Sequence, residues 1–231
     1  MPRLSSLLLL PGLDGTGDLF GPLLGVLPEQ IRAQVVDYPT DRLLSYDDLF
    51  DQVQRCAPRD ERIVVVAESF SGPVAVRYAA KCPDRVVGLV LCASFVRTPV
   101  PQWLAPAIRG AAFRLQLPKW VLRRILLDHE APDSLLAAVQ NAIKRVSPAV
   151  LAFRAREVMR VDCASMLAGS TVPLLCLFGR RDRIVRGAGI RRIIEARPDA
   201  EVRMLDAPHL ILQTRPVAAW NEIDGFLKRS L

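Results

Sequence analysis

Ser69 lies in a sequence context that can make a serine nucleophilic. The β-branched run at 63–66 predicts a strand buried on both faces, and residues 74–81 predict a helix. A strand, a tight turn with a central serine and a helix together expose such a hydroxyl at the edge of a sheet. The turn has no room for large side chains two residues before or after the serine, and Ala67 and Ser71 are small. We therefore predict a strained turn that presents Ser69 to a carbonyl carbon.

A serine hydroxyl needs a general base, and the chain has only two histidines. His209 follows a predicted strand at 201–205, whereas His129 lies between two acidic residues in a helical stretch and is expected to be solvated. Ligands bind outside the carboxyl ends of the strands in parallel sheets, and both Ser69 and His209 follow predicted strands. We expect the two residues to meet at one edge of the sheet.

The acid that would orient the histidine has two candidates. Asp182 follows a predicted strand at 173–178, and the order serine, aspartate, histidine is the one found with this kind of turn. Asp206 is only three residues from His209, and its alternative role is to form a turn. Residues 94–99 contain no carboxylate, so an acid after the preceding strand is excluded.

Glu68, directly before the serine, is an unusual neighbour for a nucleophile. Its expected role is to bind a nearby loop amide or arginine, and direct participation in proton transfer is the minor alternative. His209 has the side chain to accept the serine proton, and Asp182 has the side chain to fix the imidazole tautomer and stabilise the imidazolium.

Two backbone amides are candidates for holding a developing oxyanion. The loop 12–17 has the spacing G-x-x-G-x-G after a predicted first strand at 5–10, so its backbone can approach a ligand closely. It is neither a dinucleotide fingerprint nor a phosphate-binding loop, because no Gly-Lys-Ser/Thr follows, and an ordinary flexible turn is its alternative. The amides of Leu13 in this loop and of Phe70 after the serine are the predicted donors.

The remaining apolar segments predict an α/β fold with a mainly parallel sheet of about six strands flanked by helices. Two further strands are predicted at 34–38 and 86–93, and the second is central because it is apolar throughout. The helices predicted outside the middle of the chain span about 45–55, capped by Ser45, then 189–196 and 216–228.

No convincing strand occurs from 99 to 170, where apolar residues recur at helical spacing. Four helices are predicted there: one over 103–111, one opened by Pro118, one capped by Asp133 or Ser134, and one that starts at Ser147-Pro148. Helices between two strands of one sheet are typical of an inserted cap. We expect a core of 1–98 and 171–231 with an all-helical cap over 99–170.

Composition excludes several classes of protein. The 231 residues are 51% hydrophobic, enough for one core and a small lid. The net charge is +7, but the cations are scattered and aromatic residues are only 6%, so no nucleic-acid partner is expected. Five widely spaced cysteines without a CxxC pair predict neither disulfides nor a metal site, and no cofactor is expected. The run 7–10 is too short for a signal peptide and no stretch nears 18 apolar residues, so we predict no membrane span and a cytoplasmic location.

Four segments in chain order resemble the α/β-hydrolase fold family, and the resemblance covers nearly the whole chain. They are Pro-Gly-Leu-Asp-Gly at 11–15, Ala-Glu-Ser-Phe-Ser-Gly at 67–72, Gly-Arg-Arg-Asp-Arg-Ile-Val at 179–185 and Ala-Pro-His at 207–209. The chain departs from the family by Pro-Gly for the usual His-Gly and by the absence of both glycines that flank the elbow. Because the first predicted strand leads into the oxyanion loop, we expect the two leading antiparallel strands of the full fold to be absent. The resemblance implies a Ser69–Asp182–His209 triad and an oxyanion hole of the Leu13 and Phe70 amides.

The resemblance implies a serine hydrolase that cleaves carboxylic esters or thioesters through an acyl-enzyme. An acyltransferase is the alternative, and a non-catalytic binding protein on the same scaffold is less favoured, because the three triad residues are present. Serine disfavours the epoxide and haloalkane branches, and the apolar cap suggests a small-molecule substrate with an acyl chain. Residues 99–170 carry ten basic and five acidic residues, so an acidic acyl carrier or a coenzyme A thioester is a candidate partner.

Overall fold

A six-stranded sheet, parallel at every pairing, forms the centre of the protein. The computed structural model describes residues 6–59, 61–99 and 118–230. The strands are β1 (Ser6–Leu10), β2 (Arg32–Val35), β3 (Ile63–Glu68), β4 (Val86–Cys92), β5 (Leu174–Gly179) and β6 (Glu201–Leu205), in the spatial order β2-β1-β3-β4-β5-β6. The predicted α/β fold with about six strands is confirmed, and β3, which leads to Ser69, is central.

Helices cover both faces of the sheet. In the described residues they are α1 (Gly21–Leu24), α2 (Tyr46–Cys56), α3 (Gly72–Lys81), α4 (Lys119–Leu126), α5 (Asp133–Lys144), α6 (Pro148–Arg160), α7 (Ala164–Ala168), α8 (Gly187–Ala196), α9 (Ile211–Thr214) and α10 (Pro216–Ser230). Two short 3₁₀ turns add Asp18–Phe20 and Ser69–Ser71. None of the helices described has the length and hydropathy needed to cross a bilayer.

The core has two apolar layers, one on each face of the sheet. Alternate strand residues point to opposite faces, so Val65 packs with α2 and α3 whereas Val64 and Val66 pack with α10. The β-branched residues of β3 are at most 1% exposed, as expected of a parallel strand covered on both faces. The carboxyl end of β3 is therefore held rigidly before the chain turns at Ser69.

The helices between β4 and β5 form a helical insertion, and part of it packs on the core. Leu122 of α4 with Leu136 and Val139 of α5 form a separate apolar cluster that contacts Leu19 and Leu210 of the core. The predicted helix over 103–111 lies outside the described residues. The bounds of a cap at 99 and 170 stay a prediction, and α7 near the second bound packs against α3 and α8.

Helix starts follow their sequence signals with one exception. Ser45 caps α2 through a capping box, in which its hydroxyl accepts from the Asp48 amide at 3.2 Å and its own amide donates to the Asp48 carboxylate at 2.9 Å. Pro118 and Ser147 precede α4 and α6 as predicted. The N-cap of α5 is Pro132 rather than Asp133 or Ser134, and its first turn has no side-chain cap.

The second strand is shifted from its predicted position at 34–38. It spans Arg32–Val35, because the pairing with β1 starts at Ser6 opposite Arg32. The apolar residues Val36 and Tyr38, which dominated the pattern, are buried just beyond the strand. The Val36 amide still donates to the Leu9 carbonyl of β1 at 2.9 Å, whereas the Tyr38 amide donates to the Gly15 carbonyl at 2.7 Å, so the chain leaves the sheet between them and supports the glycine-rich loop at Tyr38.

Candidate active site

The turn at Ser69 is strained in the way its sequence predicts. Ser69 has a φ of 47°, a left-handed value that residues other than glycine adopt only where the surroundings enforce it. The chain passes from β3 through the 3₁₀ turn Ser69–Ser71 into α3, with Pro73 in the first turn of that helix. The Ser94 hydroxyl donates to the Ser69 carbonyl at 2.7 Å, which fixes the peptide after the serine. The turn thus presents its hydroxyl in one orientation.

Gly72 allows the chain after β4 to approach this turn closely. A Cβ at position 72 would lie 1.8 Å from Ser94 Oγ and 2.9 Å from Ser94 Cβ. Ser94 is fully buried, and its hydroxyl cannot move away without breaking its bond to the Ser69 carbonyl. The glycine is needed here for space rather than for its dihedral angles.

Gly72→Ala is expected to lower the free energy of unfolding by about 1–3 kcal/mol through overpacking against Ser94. Urea denaturation measures the loss, and Gly21→Ala is the matched control, because nothing lies within 4 Å of a Cβ there. A Ser94→Gly background removes the two closest contacts of the added methyl and leaves only the Phe95 carbonyl at 3.3 Å, so the cost should fall clearly. Equal costs in the two backgrounds would contradict the steric explanation.

A continuous chain of hydrogen bonds joins Ser69, His209 and Asp182. Ser69 Oγ lies 2.9 Å from His209 Nε2, and His209 Nδ1 lies 2.9 Å from Asp182 Oδ2. Because the carboxylate can only accept, the Nδ1 proton points to Asp182 and Nε2 is left to accept the serine proton. His209 is 3% exposed, so the geometry is protected from water. The structure brings these three predicted residues together from three different strand ends.

Asp182 is held in place by its own loop. Its Oδ1 accepts the backbone amides of Ile184 at 2.7 Å and Val185 at 3.1 Å, which leaves Oδ2 for the histidine. The rival, Asp206, instead pairs with Arg181 at 2.9 Å and its side chain is 69% exposed. The structure therefore places Asp182, and not Asp206, against His209. The other histidine, His129, is exposed, as expected.

The two predicted oxyanion donors lie on segments that are tied together. Ser71 donates its hydroxyl to the Pro11 carbonyl, and the Tyr38 hydroxyl donates in turn to Ser71 Oγ at 2.7 Å. These bonds join the turn that carries Phe70 to the loop that carries Leu13. The Phe70 ring of the turn stacks on the Tyr46 ring of α2, with 5.0 Å between the ring centroids.

Glu68 is buried beneath the nucleophile and finds a partner that the sequence did not indicate. Its Oε2 accepts from Gln213 Nε2 at 3.1 Å, whereas its Oε1 is buried without a hydrogen-bond partner among the described residues. Burial, and then the negative charge of Asp14, raise the pKa of Glu68 to about 7, while nearby His209 and the Gln213 bond act in the opposite direction. Gln213 lies four residues after His209, so this pair connects the nucleophile turn to the histidine segment.

Sequence reasoning missed two polar residues next to the site, Gln213 and Arg154. Gln213 is 5% exposed on the short helix α9, which offers no periodic pattern to reveal it. Arg154 lies on α6 three and four residues after the buried Leu151 and Val150. Because this arginine shares a helical face with apolar residues, the sequence pattern could have predicted that it is buried.

The other potentially reactive side chains near the sheet have environments that oppose reactivity. Burial raises the pKa of the Cys163 and Cys176 thiols to about 12, and it also raises the pKa of Cys92. Within the described part of the chain, no group of three or more His, Cys, Asp or Glu side chains is placed to hold a metal ion.

Comparisons with known proteins identify a family and similar folds. Residues 7–223 match the sequence profile of the protein family described as "Alpha/beta hydrolase family". The chain is 28% identical over 192 residues to a pimeloyl-[acyl-carrier protein] methyl ester esterase of Neisseria meningitidis serogroup C, across 76% of this chain and 75% of that protein. An enol-lactonase from Burkholderia xenovorans LB400 matches with a TM-score of 0.80 at 20% identity, over 96% of this chain and 91% of that one. A thermophilic esterase from Thermogutta terrifontis gives 0.81 at 20% identity, over 97% and 90%. Likeness at this level of identity shows a shared fold.

Proposed function

The chain belongs to the alpha/beta hydrolase family, and we propose that it is a serine hydrolase that cleaves carboxylic ester or thioester bonds. The observation that carries the proposal is the hydrogen-bonded chain from Ser69 through His209 to Asp182, with 2.9 Å at each step. Its order and geometry match the roles of nucleophile, general base and orienting acid. The strained turn at Ser69 supports the assignment, since such strain clusters at functional sites.

The proposed reaction has two halves that use the same groups. Ser69 Oγ attacks the acyl carbon while His209 Nε2 takes its proton, and Asp182 stabilises the imidazolium through Nδ1. The Leu13 and Phe70 amides are proposed to bind the oxyanion of the tetrahedral intermediate. His209 then protonates the leaving alcohol or thiol. Water then attacks the acyl carbon while His209 takes its proton, the bond between the acyl carbon and Ser69 Oγ breaks, and His209 returns the proton to Oγ as the acid leaves.

A fluorophosphonate probe tests the nucleophile directly. The folded protein is expected to be labelled on the peptide that contains Ser69, and Ser69→Ala is expected to remain unlabelled. Heat-denatured protein is the control, because a reaction that depends on His209 and Asp182 requires the folded site. A folded protein that the probe does not modify at Ser69 would contradict the proposal and would leave a non-catalytic binding role.

A panel of p-nitrophenyl esters of increasing chain length then measures the acyl pocket. An optimum at a particular length would define the acyl group, because each buried methylene contributes about 0.8 kcal/mol. Adding an alcohol or thiol acceptor distinguishes a hydrolase from an acyltransferase. Acyl transfer to the acceptor in place of release of free acid would favour the acyltransferase alternative.

An acyl carrier that bears the substrate's acyl chain is the partner we propose to test. The relative from Neisseria is named for an acyl-carrier-protein methyl ester, and the helical insertion here is basic. Arg123 and Arg145 pair with Asp133 and Asp18, whereas Lys119 and Arg124 of α4 are exposed. Added salt is expected to raise KM for an acyl-carrier ester but not for a neutral p-nitrophenyl ester. An equal response of the two substrates would rule out electrostatic docking.

A further inference from the structure

Arg154 of α6 is a buried cation that the proposed mechanism does not use. It is 2% exposed and is among the largest fully buried side chains of the protein. Burial of a charge is costly unless hydrogen bonds compensate for the lost water, and desolvation lowers the pKa of Arg154. The hydrogen-bond acceptors of the Arg154 guanidinium therefore show what this buried charge stabilises.

All the hydrogen bonds that the described structure gives Arg154 go to backbone carbonyls of two loops. Nη1 donates to the Leu13 carbonyl at 2.9 Å and to the Asp14 carbonyl at 2.6 Å, and Nη2 donates to the Pro39 carbonyl at 3.0 Å. The guanidinium carbon also lies 6.0 Å from the centre of the Phe70 ring. The cation thus sits between the two segments that carry the predicted oxyanion donors.

The glycine-rich loop is shaped to receive this guanidinium. Gly15 has a φ of 71°, and a Cβ at that position would lie 2.4 Å from Arg154 Nη1. The Gly15 amide donates to the Gly12 carbonyl at 3.0 Å, which closes the loop into a turn. Glycine at 15 therefore leaves the space that Arg154 occupies.

These bonds together fix the peptide groups on both sides of Leu13. In a trans peptide the N–H points opposite to the preceding C=O. The Gly12 carbonyl points into the turn towards Gly15, so the Leu13 amide points out of it. The Gly15 bond holds the peptide that carries the Leu13 amide, and Arg154 holds the two carbonyls that follow, of Leu13 and Asp14. Arg154 thus fixes the rest of the turn in which the Gly12–Gly15 bond sets the direction of this amide.

From this geometry we infer that Arg154 is a positioning residue, which holds the Leu13 amide in the orientation that an oxyanion hole requires. The inference rests on the proposed serine hydrolase function. Arg154 does not contact substrate in this role; it acts through the backbone of the loop. It also makes the oxyanion loop depend on α6, a helix of the insertion.

Arg154→Met is expected to lower kcat by about 10²-fold with little change in KM, the usual effect of losing one oxyanion donor. Arg156→Met is the matched control from the same helix. Arg156 is only partly buried and packs on Phe153, so this variant should keep wild-type kcat. Circular dichroism and a thermal melt establish that each variant is folded before it is assayed.

Inhibitor binding separates positioning from a merely structural role. A trifluoromethyl ketone forms an adduct with Ser69 that carries an oxyanion, so its Ki should rise by about the same factor as kcat/KM falls. The Ki of the matching methyl ketone, which stays neutral, should not change. A folded Arg154→Met with wild-type kcat, or with lowered kcat but an unchanged trifluoromethyl ketone Ki, overturns the inference.

Two further variants keep the test decisive if Arg154→Met fails to fold. Arg154→Lys retains the charge but not the planar fork, and a drop in kcat of about tenfold is expected. In Arg154→Ala, added guanidinium at a concentration too low to unfold the protein should restore part of kcat. Wild-type kcat in Arg154→Lys overturns the inference, as does a folded Arg154→Ala that guanidinium does not rescue. Failure of the fluorophosphonate to label the wild type is separate, because it counts against the proposed function itself.

Discussion

Asp182→Asn is expected to lower kcat for ester hydrolysis by about 10⁴-fold. The asparagine Oδ1 can still accept the amides of Ile184 and Val185, so its NH₂ group is turned towards His209. An NH₂ group donates to Nδ1, which forces the imidazole proton onto Nε2, where the Ser69 proton has to be accepted. Activity is therefore lost because His209 has the wrong tautomer and not because the protein unfolds. Steady-state kinetics on a p-nitrophenyl ester measures the loss.

Asp206→Asn provides the matched control for this experiment. Asp206 binds Arg181 at the surface and has no hydrogen bond to His209 among the described residues. The kcat of Asp206→Asn should therefore stay within a few-fold of the wild-type value. Thermal melts of both variants should remain close to that of the wild type. The opposite pattern, with activity lost in Asp206→Asn and kept in Asp182→Asn, would make Asp206 the orienting acid.

Removing the ionisable group of Glu68 is expected to change how stability depends on pH. Burial is the main cause that raises the pKa of Glu68 from its ordinary value of 4.5 to about 7 in the folded protein. The folded state thus keeps a proton that the unfolded state has already released. The stabilisation is complete below about pH 4.5 and is lost as the pH rises through about 7. A pKa change of this size corresponds to about 3 kcal/mol of unfolding free energy.

Glu68→Gln keeps the shape of the neutral side chain and cannot ionise. Relative to this variant, the wild type should lose about 3 kcal/mol of unfolding free energy between pH 4.5 and pH 8, as measured by urea denaturation. The two proteins differ at this one side chain, so the contributions of all other groups largely cancel in the difference. Glu29→Gln, a change at an exposed acid, should run parallel to the wild type. A difference curve for Glu68→Gln that is flat across this range would mean that Glu68 ionises at its ordinary pKa.

The fold was predictable because its signals are local. Uninterrupted apolar runs such as Val86–Cys92 mark strands covered on both faces, and Ser45 and Pro148 mark helix starts. The error at the second strand has the same origin. Val36 and Tyr38 are apolar because they are buried in the core just beyond the strand, and the pattern cannot distinguish this burial from that of a strand.

The candidate site was predictable in its positions but not in its supports. Ser69, Asp182 and His209 follow strand ends, so topology alone predicts that they gather at one edge. The choice between Asp182 and Asp206 depended on which carboxylate its loop turns inward, and this is set by backbone amides at 184 and 185. Gln213 binds Glu68, which lies 145 positions away in the sequence, and no local pattern predicts such a contact.

The all-parallel strand order has a consequence for how the chain is made. β4 pairs with β3 on one edge and with β5 on the other, and about 80 residues, which include the helical insertion, separate β4 from β5 in the chain. At a synthesis rate of 5–20 residues per second, the second edge of β4 waits about 4–16 s for its partner. An unpaired edge of an apolar strand is a template for pairing with other chains. Nascent chains are therefore most prone to aggregate, and most in need of a chaperone at the ribosome exit, while the insertion is being translated.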